Sequence, residues 1–96
     1  MMVLVTYDIE TTSAAGRRRL RRVSRACLDH GQRVQFSVFE CEVEPARWTA
    51  LRARLIKEIE PKTDSLRFYM LGSNWRRRVE HIGAKPVVDL DGPLIF

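Results

Sequence analysis

Between residues 32 and 43 the apolar positions change phase. Val34, Phe36 and Val38 alternate on even numbers, and Phe39, Cys41 and Val43 alternate on odd ones. Side chains of a strand alternate between two faces, so a one-residue slip sends the second set to the opposite side of the sheet. One continuous strand cannot bury both sets. The pattern demands a bulge or tight turn near Ser37-Val38-Phe39 and reads as two short strands joined there. No Gly or Pro marks the turn, so its type is not legible.

The flanking elements follow from periodicity. Residues 2 to 9 form a first strand, with Val3, Val5, Tyr7 and Ile9 on one face and Met2, Leu4, Thr6 and Asp8 on the other. Both faces are largely apolar, so both call for a cover. Thr11, Thr12 and Ser13 are candidate caps for a helix over about 14–30, stopped by Gly31. Pro45 suits the first turn of a second helix, whose stripe Trp48, Leu51, Leu55 and Ile59 reads as core, and Pro61 ends it. Leu66, Phe68 and Met70 alternate with Arg67, Tyr69 and Leu71 in a last strand. The order is β-α-β-β-α-β, an α+β, ferredoxin-like plan that puts both helices on one sheet face and leaves the other open. Residues 1–72 form that domain. Residues 73–96, ending in Pro93-Leu94-Ile95-Phe96, read as an extension that contributes an edge strand to a dimer.

The chain has 96 residues, enough for one small domain that gains from extra surface buried in a dimer. Its formal net charge is +5, which favours a polyanionic partner such as nucleic acid. The charge is concentrated. Arg17, Arg18 and Arg19 crowd the amino-terminal turn of the first helix, where the macrodipole disfavours cations, Arg21 and Arg22 follow on the same helix, and Arg76-Arg77-Arg78 come late in the chain. Such placement points to an external anion; the alternative is a solvated basic face. Cys27 and Cys41 have neither CxxC spacing nor a histidine at metal spacing and read as buried free thiols in a reducing compartment. With no membrane-length apolar segment and no leader pattern, the expected location is the cytoplasm.

Asp8 closes the first strand as a carboxylate on the open face. It is a candidate magnesium ligand, although spacing alone favours an aspartate that ends a strand and starts a turn. One acid is a weak site. A second copy of the chain, related by a twofold axis, would supply a second Asp8. Glu40 and Glu42 are read as solvated strand positions, and His30 and His81 are isolated. Asp89-x-Asp91-Gly92 resembles the start of a calcium loop but lacks the later glutamate. There is no phosphate-binding loop, no dinucleotide fingerprint and no aromatic run of the RRM type.

Tyr7-Asp8-Ile9, the helix start from Gly16 through the arginines to Val23, and the segment from Gly31 to Glu40 together resemble the CRISPR-associated Cas2 family. The stretch from Arg33 to Glu40 is the most specific part. The resemblance implies a homodimer with sheets packed face to face and a carboxy-terminal segment that extends the partner's sheet. It implies Asp8 as a ligand of Mg2+, shared with its copy. It implies a metal-dependent endonuclease on single-stranded RNA or double-stranded DNA, with Tyr7, Asp8, Ser37 and Phe39 at the site and Arg19, Arg22 and Arg33 on the phosphates. The alternative implied role is a non-catalytic DNA scaffold that bridges dimers of the integrase subunit.

Overall fold

A computed structural model describes residues 1–83. The edge strand expected from Pro93 to Phe96 lies outside the described residues. The elements run β1 (Met2–Asp8), α1 (Ala14–Leu28), β2 (Gln32–Gln35), β3 (Val38–Glu42), α2 (Pro45–Glu58) and β4 (Ser65–Gly72), followed by a 3₁₀ turn at Trp75–Arg78. The strands form one antiparallel sheet in the order β2-β3-β1-β4. This is the ferredoxin-like arrangement the element order predicts.

Both helices cover one sheet face. Val3, Val5, Tyr7 and Ile9 of the first strand and its exit meet Val23, Ala26 and Cys27 of α1, and Trp48, Leu51 and Leu55 of α2. Phe39, Cys41 and Val43 complete this layer, so the odd-numbered set of the phase slip is the core set. Trp48 packs edge-on against Phe68, with centroids 4.9 Å apart, and burying rings of this size contributes about 2–3 kcal/mol each. The slip is resolved by two features. The chain turns at Phe36–Ser37, and the β2–β3 register shifts between Arg33 and Gln35. Val38 is thereby placed opposite Thr6 on the open face, and Phe36 is 84% exposed.

The expected boundary of α1 moves. The helix ends at Leu28, not His30, because the Asp29 and His30 N–H groups bond back to the carbonyls of Arg25 and Cys27 and tighten the last turn. Gly31 serves a different purpose from a helix stop. It has no positive φ, but a Cβ there would collide with the Glu40 carbonyl and with Cys41 of β3. Ser13 is the cap among the three candidates. Its Oγ accepts from Gly16 N–H at 3.0 Å. The two thiols are free and buried, and burial pushes Cys27 up to about 12 and Cys41 up to about 11. They are inert core groups, as read from the sequence. No helix among the described residues is long and apolar enough to cross a membrane.

Candidate nucleic-acid interface and metal site

The open face is built row by row from the strand register. Asp8 faces Ser65, Thr6 faces Arg67, and Leu4 faces Tyr69 across β1 and β4. On the other flank Thr6 faces Val38 and Leu4 faces Glu40. Asp8 is exposed and, among the described residues, forms no hydrogen bond or ion pair through its side chain. The β2–β3 turn is drawn to the same end of the sheet, because Tyr7 N–H donates to the Ser37 carbonyl at 3.1 Å. Asp8 and Ser37 are thus neighbours at one corner of the molecule. Glu40, read from the sequence as solvated, is 7% exposed in the middle of this face.

Tyr7 and Phe39 lie on the other side of the sheet. Both are buried in the helix-facing core, with ring centroids 6.1 Å apart. Tyr7 Oη hydrogen-bonds Ser24 Oγ of α1 at 2.7 Å, and the Arg33 guanidinium lies 5.0 Å from the centre of the Phe39 ring. Strand alternation separates these two side chains from Asp8. They hold the strand and the hairpin in place and do not reach the carboxylate's face.

The arginines divide in the same way. Arg19 is engaged internally: its Nε donates to Asp64 Oδ2 at 2.7 Å, and Glu10 Oε2 lies 3.5 Å from its Nη2. Asp64 also accepts the N–H groups of Glu10 and Glu60 at 3.0 and 2.9 Å. Burial alone would raise the Asp64 carboxyl, but the Arg19 guanidinium and these two amides outweigh it and hold it at about 2. Glu10 is held at about 2 by the Thr12 hydroxyl, the Ser13 hydroxyl and the Ser13 amide. Arg17 donates to the Thr11 carbonyl at 3.1 Å. Arg18, Arg21, Arg22 and Arg25 of α1 join Arg33 of β2 and Arg54 of α2 around a groove of about 820 Å³ with Leu20 and Leu28 in its wall. Within it Arg22 approaches Glu58 at 3.9 Å, and Arg54 binds Asp29 at 3.1 Å. This groove is on the helix side, opposite Asp8. Arg76, Arg77 and Arg78 occupy the exposed 3₁₀ turn, with Arg76 stacked 4.5 Å from the Trp75 ring centre.

Sequence reasoning missed Asp64 and Arg67. Asp64 carries no motif, and its importance arises only when two loops distant in sequence meet around it. Arg67 was legible as a β4 residue, but the register that puts it beside Asp8's row was not.

A hard oxygen donor such as Asp8 suits magnesium, which takes one or two carboxylates and fills its shell with water and phosphate. Among the described residues no three His, Cys, Asp or Glu side chains converge on one point.

Two helices over a four-stranded antiparallel sheet, with a bare carboxylate at the end of the first strand, define a ferredoxin-like α+β domain with a one-sided polar site. The family model described as CRISPR associated protein Cas2 matches residues 1–79, and the chain belongs to that family. It is 67% identical, over 99% of its length and 100% of the relative, to the CRISPR-associated endoribonuclease Cas2 3 of Rhodospirillum rubrum. It is 54% identical, over the full length of both chains, to the CRISPR-associated endonuclease Cas2 of Halalkalibacterium halodurans. The crystal structure of Streptococcus pyogenes Cas2 at pH 6.5 superposes with a TM-score of 0.76 at 60% identity, covering 86% of this chain and 100% of that one.

Proposed function

We propose that this chain is a cytoplasmic, homodimeric, magnesium-dependent endonuclease of the CRISPR system that cleaves single-stranded RNA, double-stranded DNA, or both. The observation that carries this reading is Asp8, an exposed carboxylate with no partner among the described residues, on the sheet face that lacks helices. Two such faces stacked about a twofold axis would cover Leu4, Thr6 and Val38 and bring two carboxylates together. When bound there, Mg2+ would polarise the phosphoryl oxygens and acidify a water molecule. The two Asp8 side chains hold their oxygens at the strand ends, and Ser37 flanks them from the hairpin turn. In the reaction the water oxygen bonds to phosphorus and the bond to one sugar oxygen breaks. Solvent takes the water's proton and returns one to the leaving oxygen. The names of the relatives, endoribonuclease and endonuclease, support the same chemistry. The test is Asp8→Asn, which should abolish metal-dependent cleavage of RNA and DNA while the thermal melt stays unchanged. Cleavage at the wild-type rate by this variant refutes the assignment.

A second role rests on a separate observation. The arginine groove is on the helix side and cannot present a bound strand to Asp8 of the same chain. Its side chains, with Arg17 and Arg76–Arg78, grip phosphates without reading sequence, which suits a duplex platform for the integrase subunit. Under this reading Asp8→Asn leaves duplex binding and integrase association intact.

A further inference from the structure

We propose that Arg67 is a further catalytic residue of the Asp8 centre, holding the phosphoryl oxygens of the bond to be cleaved, and that Tyr69 positions it. The inference rests on the nuclease reading above and names a residue that reading does not use.

Thr6 faces Arg67 and Asp8 faces Ser65 across adjacent antiparallel strands. Arg67 is therefore the diagonal neighbour of Asp8 on one sheet face, roughly 7 Å away between β-carbons. That span is too long for the resting side chains to require a salt bridge, and neither forms one among the described residues. It is the right order for a phosphate between them. Of the arginines on strands, Arg33 lies with Phe39 on the helix side, whereas Arg67 shares the side of Asp8. Arg67 is exposed on β4, which is an edge strand of the single chain's sheet. At rest the guanidinium lies 5.3 Å from the centre of the Tyr69 ring, the next residue along the same face on the Leu4 side, so it must swing from the ring towards Asp8 to meet a phosphate there. The ring keeps it on the sheet surface at small cost, since a cation over an exposed ring gains only about 0.5–1 kcal/mol. A phosphate beside two aspartates offers a stronger, bidentate partner.

The chemistry calls for such a group. During attack, negative charge grows on the non-bridging phosphoryl oxygens, and a fixed guanidinium aimed at them lowers the barrier. Two Asp8 carboxylates also repel a polyanion, and a pair of Arg67 side chains in the dimer restores the local balance of charge.

The experiment uses the full chain as a dimer, with Mg2+ and short labelled single-stranded RNA, single-stranded DNA and duplex DNA as separate substrates. Wild type and Asp8→Asn first establish that cleavage depends on Asp8. Arg67→Ala should then lower kcat roughly 10²-fold with the magnesium half-saturation point unchanged. Arg67→Lys should recover part of the loss, because a point charge replaces the fork. Tyr69→Phe should retain activity and Tyr69→Leu should lose part of it, which separates the ring's support from the hydroxyl. If cleavage depends on Asp8 but Arg67→Ala keeps kcat within twofold, the Arg67 assignment is overturned and the nuclease reading stands. If Arg67→Ala instead dissociates the dimer in solution scattering, Arg67 is an interface residue and the assignment is likewise overturned. If wild type shows no Asp8-dependent cleavage, the nuclease reading itself is overturned, and Arg67 with it.

Discussion

Asp64 shows how one buried carboxylate organises a corner of this molecule. Its oxygens take bonds from Arg19, Glu10 N–H and Glu60 N–H, and so tie the start of α1 to the loops after β1 and α2. Asp64→Asn should cost roughly 3 kcal/mol, because it leaves the Arg19 charge without its buried partner; chemical denaturation of both proteins measures this. The pH dependence has a fixed sign. Folding depresses the Asp64 carboxyl from 3.8 to about 2 and the Glu10 carboxyl from 4.5 to about 2. The stabilisation is complete above the ordinary values and disappears as pH falls through 4.5 towards 2. Melting temperatures between pH 6 and pH 2 should therefore fall less steeply for Asp64→Asn than for wild type. Nothing in the residue string marked Asp64. By contrast, Asp8 was legible, because a carboxylate at the end of an apolar strand is conspicuous against its neighbours. Tyr7 and Phe39 carried the correct local pattern but face the helices, so substitution there should act on stability before it acts on chemistry.

At the scale of elements, periodicity located the four strands and two α-helices among the described residues to within about two positions, which is the precision that fraying allows, but not the short 3₁₀ turn at Trp75–Arg78. The Ser13 cap was one of three candidates, and only the geometry of the Glu10 loop chooses it. Glu10 accepts from the Ser13 N–H at 2.7 Å and from its hydroxyl at 2.8 Å, leaving Ser13 Oγ as acceptor for Gly16. Ser13→Ala should lower stability by about 1 kcal/mol, seen as a shift in denaturation midpoint with unchanged slope. Gly31 looked like a helix stop. Its actual task is to let α1's exit pass against the backbone of β3. Gly31→Ala should destabilise by about 3 kcal/mol through displacement of that backbone, with a matching loss of melting temperature. A conformational role would have left room for Asn, whereas this steric role excludes every side chain.

Across the whole molecule, the sheet separates two chemistries. Asp8, Ser65, Arg67 and Tyr69 share the open face, and Arg18, Arg21, Arg22, Arg25 and Arg33 share the helix-side groove. Charge reversal at Arg18 and Arg21 together should weaken duplex binding and reduce its salt slope by about two, measured by fluorescence titration over a range of salt. The same double variant should leave Asp8-dependent cleavage of short single strands unchanged, since the groove does not open onto that face. The residue pattern alone determined the element order, the buried stripe of Trp48, Leu51 and Leu55, and the presence of one strand-end acid beside a basic surface, because these depend on periods of two and 3.6 residues along the chain. Only the tertiary structure decided which arginine is spent on Asp64, which residue accompanies Asp8, and that the acid and the arginine groove lie back to back. Those outcomes depend on strand register and on loop meetings across dozens of residues, and no local period encodes them.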